Sequence, residues 1–191
     1  MVCCYTPPEV DIPIEPRATK NSDIVFGSFN KSAKLSDQTI ALWARLLKQV
    51  SDVSLILKDR AFSDLSVSKQ TQERFAKHGI APERIEFVGR LSHAEHFAYY
   101  NRIDIALDPT PYGGATTTAD ALWMGTPVVT LRGTWVGRVS RSILEAIGRS
   151  DLVANDESEY LIYRACSGNG SCLARYFNEK LALANAGLAV L

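Results

Sequence analysis

From residue 24 onward, short apolar runs alternate with longer stretches in which apolar residues recur every three or four positions. The short runs predict β-strands, because brief continuous apolar runs are typical of strands that are buried on both faces. The five strong runs lie at 24–29, 53–57, 85–88, 103–107 and 128–131, and a weaker one lies at 152–153. We predict five strands from the strong runs.

The stretches between these runs predict α-helices. In the first of them, Ile40, Trp43, Leu47 and Val50 follow a capping Ser36 at spacings of three and four residues. Further helices are predicted at 68–78, 92–100, 117–124, 138–147, 157–165 and 173–186. Strands and helices that alternate in this way form βαβ units. The predicted fold class is therefore α/β, a Rossmann-like parallel sheet with helices on both faces.

The chain divides into three parts by composition. Residues 1–23 hold four of the eight prolines and are predicted to be an extended linker, because proline fixes φ and removes a hydrogen-bond donor. Residues 24–165 carry the alternating pattern and form the predicted Rossmann-like lobe. Residues 166–191 form a predicted helical tail. A domain that opens with a linker suggests a piece of a longer protein.

The charges of the chain balance, with 21 Lys and Arg residues against 21 Asp and Glu residues. This balance gives no reason to expect a nucleic acid or a membrane as a partner. No apolar run approaches the roughly 18 residues that cross a bilayer, and residues 1–16 do not resemble a signal peptide. We therefore expect a cytoplasmic protein whose four cysteines are reduced thiols. A single Cys166–Cys172 disulfide is the alternative, since their spacing is not that of a zinc site.

A loop rich in glycine and threonine follows the fourth predicted strand, at 108–120. Gly113 and Gly114 let the backbone approach a ligand closely, and Thr116 and Thr117 lie where a helix begins. Backbone N–H groups and hydroxyls at the positive end of a helix suit a phosphate group. Asp120, one helical turn further on, is a candidate acceptor for ribose hydroxyls. The structural alternative is that a threonine caps the helix and an acid in its first turn favours the dipole.

Two other loops that leave strands carry candidate residues. In the first loop, Lys31 and Lys34 are candidate partners for a diphosphate, with plain solvation as the alternative. His93 and His96 open the helix after the third strand, either as hydrogen-bonding groups near a nucleotide or as ordinary helix-start residues. No third ligand accompanies them and no Asp-x-Asp motif occurs, so we expect no metal site.

One long stretch and several shorter ones match a known family. The long stretch is Thr116-Thr-Thr-Ala-Asp-Ala-Leu-Trp-Met-Gly-Thr-Pro-Val-Val-Thr-Leu131. The shorter ones are Phe26-Gly-Ser-Phe-Asn30 with Lys34, Ile40-Ala-Leu-Trp-Ala-Arg-Leu-Leu47, Arg84-Ile-Glu-Phe87, Glu95-His96, Asp104-Ile-Ala-Leu-Asp-Pro-Thr-Pro-Tyr112 and Arg138-Val139. Together they resemble the C-terminal, donor-binding half of the catalytic region of the protein O-GlcNAc transferase and SPINDLY-like family, of the bacterial tetratricopeptide-repeat type. The resemblance runs from about Tyr5 to Tyr160.

The resemblance implies the single C-terminal lobe of a GT-B glycosyltransferase, an architecture of two Rossmann-like lobes. It implies transfer of N-acetylglucosamine from UDP-N-acetylglucosamine to Ser or Thr of an acceptor protein, without a metal or another cofactor. Lys34 matches the family lysine that contacts the diphosphate and stabilises the leaving group, so it is the expected catalytic residue. The residues expected to bind the donor are Asn30, Lys34, Leu91, His93, His96, Thr116, Thr117 and Asp120.

The same resemblance assigns these residues to parts of the donor. The two threonines match phosphate-binding residues, and Asp120 matches the acid that holds the ribose. His96 matches a histidine beside the nucleotide, and Leu91 lies where the backbone contacts the base.

The chain departs from the family at a few of these positions. His93 replaces a lysine, Lys31 replaces an amide side chain, and Ala115 replaces a histidine. Gly137 precedes Arg138 where the family has a serine. These departures leave the base and the sugar open, with UDP-glucose and GDP-fucose as alternatives.

The first catalytic lobe and the repeats of the family have no counterpart in this sequence, so we expect the chain to be inactive without them. Two other functions stay open at this point. One is a non-catalytic module that binds nucleotide sugars or another protein. The other is a different GT-B enzyme, such as a nucleotide-sugar epimerase.

Overall fold

A computed structural model describes residues 5–6, 8–9, 12–14, 24–49, 53–133 and 137–162. The strands in these ranges are β1 Ile24–Ser28, β2 Val53–Lys58, β3 Ile85–Val88, β4 Ile105–Leu107, β5 Val128–Leu131 and β6 Val153–Ala154. The helices are α1 Asp37–Gln49, α2 Leu65–Ala76, α3 His93–Ala98, α4 Thr116–Trp123, α5 Arg138–Ala146 and α6 Glu157–Ile162. The predicted tail at 166–191 and most of the predicted linker at 1–23 lie outside the described residues.

The strands form one six-stranded sheet in the order β3-β2-β1-β4-β5-β6. Every neighbouring pair is parallel. This is the strand order of the Rossmann fold, in which the chain reverses its direction of progress across the sheet between β1 and β4. Ligands of such sheets bind in the crevice outside the carboxyl ends of the strands at that switch point. The predicted fold class is confirmed.

The apolar core lies in two layers, one on each face of the sheet. Successive strand residues point to opposite faces, so Phe26 of β1 packs in one layer and its neighbour Val25 in the other. The first layer joins the sheet to α1, where Trp43 is fully buried and its indole N–H donates to the Tyr160 hydroxyl at 3.1 Å. The second layer includes Phe97 of α3. Helices therefore cover both faces, as the sequence predicts.

Side-chain caps fix where three of the helices begin. The Ser36 hydroxyl accepts the Thr39 N–H before α1, as predicted. Before α3, the Ser92 hydroxyl accepts the Glu95 N–H and the Glu95 carboxylate accepts the Ser92 N–H, which is a capping box. Before α2, the Asp64 carboxylate accepts the Ser66 N–H at 2.8 Å.

Two predictions about the elements are wrong. The helix predicted at 68–78 begins three residues earlier, because Asp64 caps it and Leu65 follows with 84% exposure, outside the apolar pattern. The sheet has a sixth strand in addition to the five predicted, because Val153 of the weak run and the following Ala154 pair with β5 as an edge strand of two residues. Within the described residues, none of the helices has both the length and the apolar character to span a bilayer.

Candidate functional site

The candidate site lies at the carboxyl ends of β1 and β4, on either side of the switch point. The loop after β1 carries Asn30 and Lys34, and the loop after β4 leads into α4. The backbone of the first loop is held by Asp59, whose carboxylate accepts the Ser32 N–H at 2.7 Å. The second loop is held by Thr39, whose hydroxyl donates to the Thr110 carbonyl at 2.6 Å. Both loops are therefore anchored by residues of the first half of the lobe.

The ammonium group of Lys34 lies between the two loops. It donates to the Gly113 carbonyl at 2.7 Å and to the Asn30 side-chain oxygen at 3.3 Å, and it lies 4.6 Å from the centre of the Tyr112 ring. Burial lowers the pKa of Lys34, and the neighbouring charge of Asp108 opposes that shift. Among the ion pairs of the described residues, none includes Lys34. Within the part of the chain that the structure describes, its ammonium group is bonded to neutral oxygens alone, so its charge is available to an anion.

The start of α4 lies beside this lysine and lacks a side-chain cap. The residue at the cap position is Ala115, so Thr116 is the first helical residue and the predicted alternative of a capping threonine is wrong. Thr117 donates its hydroxyl hydrogen to the Asn30 oxygen at 3.1 Å, which ties the helix to the loop of Lys34. An uncapped helix start leaves backbone N–H groups without partners in the helix and favours negative charge.

A buried acid, Asp108, holds the glycine loop in place. Its carboxylate accepts the Gly114 N–H at 2.6 Å and the Thr130 hydroxyl at 2.8 Å. Burial raises the pKa of Asp108, and these hydrogen bonds oppose the shift. A Cβ on Gly113 would lie 2.5 Å from a carboxylate oxygen of Asp108, and one on Gly114 would overlap the Thr117 hydroxyl. Packing within the protein therefore requires glycine at both positions, whether or not a ligand binds there.

Asp120 lies one turn into α4 and is the centre of a second group of polar side chains. The Tyr5 hydroxyl donates to one of its carboxylate oxygens at 2.9 Å, and His96 Nε2 lies 3.5 Å from the other. The Lys58 ammonium lies 2.9 Å from Nδ1 of the same histidine. The His96 ring packs against the ring of Phe29, with their centres 5.8 Å apart. The side chains of Asp120 and His96 are only 12% and 16% exposed.

Burial changes the pKa values of the other polar groups around Asp120. It raises the pKa of Tyr5 well above its ordinary value, and the hydrogen bond to Asp120 and the charge of that carboxylate raise it further. Burial lowers the pKa of Lys58, while the charges of Asp59 and Asp120 oppose the shift. The phenol therefore stays protonated and bonded to the carboxylate at neutral pH.

The structure brings together five of the eight predicted donor-binding residues in these two groups: Asn30, Lys34, Thr117, His96 and Asp120. Among the hydrogen bonds of the described residues, none links Thr116, Leu91 or His93 to either group. Thr116 is exposed at the start of α4. Leu91 is partly buried against the second core layer. His93 is exposed, with its ring at 5.1 Å from that of Phe97.

Sequence reasoning missed three residues of the site. Asp108 opens the predicted glycine loop, where the sequence assigns it no role of its own, and Lys58 lies one residue after the predicted strand at 53–57. Tyr5 falls in the predicted linker, yet its hydroxyl bonds to a residue 115 positions away. The signal for Lys58 and Asp108 was their position at the carboxyl ends of β2 and β4, where ligands of parallel sheets bind.

Within the described residues, no group of three or more His, Cys, Asp and Glu side chains is arranged to hold a metal ion.

The sequence profile of glycosyl transferase family 41 matches residues 15–184. The chain belongs to this family. The match continues past Tyr160, where the resemblance seen in the sequence ended. A SPINDLY protein of Petunia hybrida, named as a probable UDP-N-acetylglucosamine–peptide N-acetylglucosaminyltransferase, is 37% identical over 161 residues, which are 83% of this chain and 17% of that protein. A UDP-N-acetylglucosamine–peptide N-acetylglucosaminyltransferase of Caenorhabditis elegans is 33% identical over 140 residues, 72% of this chain and 12% of that protein.

One solved structure agrees with this assignment, and a second shares the fold. A mutant O-GlcNAc transferase of Thermobaculum terrenum superposes with a TM-score of 0.85 and 32% identity, over 96% of this chain and 35% of that one. An Anabaena protein solved with UDP and glucose superposes with a TM-score of 0.60 at 18% identity, over 86% of this chain and 44% of that one, a likeness of fold alone. This family 41 chain thus spans a minor part of each of these proteins.

Proposed function

We propose that this family 41 chain is the donor-binding lobe of a protein O-glycosyltransferase that transfers N-acetylglucosamine from UDP-N-acetylglucosamine to Ser or Thr hydroxyls. The observation that carries the proposal is the position of Lys34 beside the uncapped start of α4, at the switch point of the sheet. Asp120 follows one helical turn further on. A nucleoside diphosphate needs this combination of a positive site and a nearby ribose acceptor.

The diphosphate is proposed to lie between Lys34 and the first turn of α4. The ammonium group supplies a full charge, and the helix start supplies N–H donors and the positive end of the helix dipole. The Thr116 hydroxyl is the adjacent side-chain donor, and the Thr117 hydroxyl becomes a second one when its hydrogen turns from the Asn30 oxygen to the phosphate. The packing of Gly113 and Gly114 on Asp108 keeps this backbone close to the lysine.

The nucleoside is proposed to lie over Asp120 and His96. A carboxylate oxygen accepts several hydrogen bonds, so Asp120 accepts from ribose hydroxyls as well as from Tyr5. The His96 ring offers a flat face beside the base. Leu91 lies in the loop before α3 and His93 is the first residue of α3, and both are proposed to meet the edge of the base.

The role proposed for Lys34 follows from the charge that develops in the reaction. The acceptor oxygen forms a bond to the anomeric carbon, while the bond from that carbon to the diphosphate oxygen breaks. The hydroxyl proton passes to solvent, and the departing UDP keeps the electrons of the broken bond and gains negative charge. Lys34 and the start of α4 stabilise that charge, and loss of one such contact commonly costs about 3 kcal/mol of transition-state stabilisation.

Transfer is proposed to require more of a family protein than this chain provides. The chain spans 17% of the length of its SPINDLY relative, and a GT-B enzyme closes its site between two lobes. The acceptor protein, a first lobe and tetratricopeptide repeats belong to the proposal for the whole enzyme. For the donor contacts, Lys34 and the helix start take the place that a metal ion fills in other nucleotide-sugar enzymes.

Calorimetric titration of the 191-residue chain tests the proposal. We expect UDP and UDP-N-acetylglucosamine to bind with and without magnesium, and GDP to bind more weakly. Lys34→Met should raise the Kd for UDP about tenfold or more, because it removes a charge-assisted contact to phosphate. Lys69→Met, which changes an exposed lysine of α2, is the matched control and should bind like the parent chain.

The outcomes separate the proposal from its alternatives. Tighter binding of GDP than UDP would replace the proposed donor by a guanosine diphosphate sugar. Equal binding by the parent and Lys34→Met would contradict the placement of the diphosphate. A full-length family protein containing this lobe that binds UDP-N-acetylglucosamine without transferring the sugar would identify a non-catalytic module, and an epimerised sugar product would identify an epimerase.

A further inference from the structure

Lys58 is a charged side chain at the site to which neither the sequence nor the proposed function assigns a role. It is the last residue of β2, at the same carboxyl edge as the loops of the site, and it is half-buried. Its ammonium nitrogen lies 2.9 Å from Nδ1 of His96. It does not contact the loop of Lys34 in any hydrogen bond of the described residues.

The chemistry of the two groups fixes the direction of this hydrogen bond. A lysine ammonium group has three donors and no acceptor, so Nδ1 of His96 must accept. A nitrogen that accepts carries no proton, and the neutral imidazole then has its proton on Nε2. The charges of Asp59 and Asp120 favour the ammonium form of Lys58 against the effect of burial.

The proton on Nε2 points toward the ribose acid. Nε2 lies 3.5 Å from the second carboxylate oxygen of Asp120, while the first accepts from Tyr5. The His96 ring is also held between aromatic neighbours, with centres at 5.8 Å from Phe29 and 5.5 Å from Tyr100. Hydrogen bonds at both ring nitrogens and contacts to the ring therefore fix its orientation.

We propose that Lys58 is a positioning residue of the donor site, which holds His96 as the neutral tautomer with its proton on Nε2 and so aligns both the imidazole and Asp120. The role in donor binding rests on the proposed function, whereas the tautomer is a property of the free protein. Nδ1 is occupied as the acceptor of the Lys58 ammonium group, so the ring carries its proton on Nε2, toward Asp120. Lys58 itself does not contact the nucleotide in this account.

The tautomer is measured by nitrogen-15 NMR of the chain labelled at histidine, without nucleotide. His78→Gln, His93→Gln and His96→Gln assign the three ring spectra. We expect His96 to show a protonated Nε2 and an unprotonated Nδ1. In Lys58→Met this pattern should change to a mixture of tautomers, in Lys58→Arg it should persist, and in Lys69→Met it should match the parent. A parent His96 with its proton on Nδ1, or a Lys58→Met spectrum like that of the parent, overturns the proposal.

Titration of the same variants with UDP tests the consequence for binding. Lys58→Met should raise the Kd for UDP about tenfold, because His96 and Asp120 are then no longer aligned before the nucleotide binds, and Lys58→Arg should restore most of the affinity. If the parent shows the expected tautomer but does not bind UDP, the proposed function fails and the tautomer assignment stands. If Lys58→Met has the parent's tautomer and has lost UDP binding, Lys58 contacts the nucleotide directly and the positioning role is wrong.

Discussion

At the scale of single residues, the site depends on how each charge is compensated. Lys34 is hydrogen-bonded to neutral oxygens, so an arriving diphosphate meets a cation that has no ion-pair contact among the described residues. Asp120 differs, because both of its oxygens already have partners in the protein. These partners orient the carboxylate before a ribose binds. The free-energy cost of ordering this side chain on binding is therefore smaller.

Asp120→Asn tests whether the ribose is bound at this carboxylate. An amide keeps one acceptor oxygen but loses the charge, so UDP should bind about tenfold more weakly. Binding of 2′,3′-dideoxy-UDP should already be weak in the parent and should change little in Asp120→Asn. Calorimetry of the two ligands with the two proteins measures this coupling. Glu83→Gln, the same acid-to-amide change at an exposed position, is the control. Equal losses for both ligands would show that Asp120 does not contact the ribose.

Tyr5→Phe tests the bond that joins the start of the chain to Asp120. Removing the hydroxyl should lower the free energy of unfolding by about 1 kcal/mol, the usual contribution of a hydrogen bond. The pKa of Tyr5 is raised in the folded chain, so its contribution is present below pH 10 and declines as the pH rises above the ordinary tyrosine value. Urea unfolding of the two proteins between pH 7 and about 11 should show the difference shrinking.

The control for this experiment is Tyr112→Phe, because the Tyr112 side chain is 52% exposed and its hydroxyl forms no hydrogen bond among those of the described residues. This variant should unfold like the parent at every pH. A Tyr5→Phe protein as stable as the parent at pH 7 would show that the contact to Asp120 contributes nothing.

At the scale of elements, the phosphate region is one unit built from the β4–α4 loop and the loop after β1. Asp108 fixes Gly114, Thr117 binds Asn30, and Asn30 accepts from Lys34. The start of α4 and the lysine are thus connected through a continuous set of hydrogen bonds. A substitution in the β4–α4 loop should therefore disturb both the packing of that loop and the position of the Lys34 ammonium group.

Gly114→Ala tests this unit. The added methyl group would overlap the Thr117 hydroxyl and lie 2.9 Å from that of Thr118, so it should lower the free energy of unfolding by about 1–3 kcal/mol. Adding Thr117→Ala removes the nearest atom and should recover part of this stability without recovering UDP binding. Thermal unfolding and calorimetry measure the two effects. A Gly114→Ala protein with parental stability and affinity would show that the loop is not closely packed.

The elements also show what the sequence pattern can and cannot predict. Strand β3 and the cap of α1 follow directly from local signals and were predicted correctly. The edge strand β6 has two residues, too few for a periodic pattern, and it forms because β5 is there to pair with it. The start of α2 was misplaced because capping by Asp64 is a polar signal outside the apolar pattern.

For the site, the sequence predicted the residues that a family motif carries but not those that only long-range contacts bring in. Asn30, Lys34 and Thr117 could be named, and the structure joins them. Tyr5 and Lys58 could not, because their partners lie 115 and 38 positions away and no local pattern links them. Their contacts depend on the order of the strands in the sheet. The sequence predicts the fold class but not these individual contacts.

At the scale of the whole molecule, the strand order determines where the site is. The switch between β1 and β4 opens a crevice at the carboxyl edge, and the loops after these strands line it. The lysines, the start of α4 and the Asp120 group all lie at this edge. One ligand that spans phosphate and nucleoside regions would therefore connect elements from both halves of the sheet.

Such a ligand should stabilise the fold as a whole. At a UDP concentration of roughly 100 times Kd, binding to the native state adds about 2.7 kcal/mol of stability. For a domain of this size the midpoint of thermal unfolding should rise by about 5–10 °C. Thermal scans with UDP, uridine and GDP measure the effect, and uridine should give a small shift because it lacks the diphosphate. Equal shifts with uridine and UDP would show that the phosphate region is not used.

A crystal structure of the chain with UDP-N-acetylglucosamine tests the central claim most directly. We predict the diphosphate between the Lys34 ammonium group and the first turn of α4, with the ribose on Asp120 and the base beside His96. A nucleotide bound elsewhere on the lobe, or bound with its phosphates turned away from Lys34, would contradict the account.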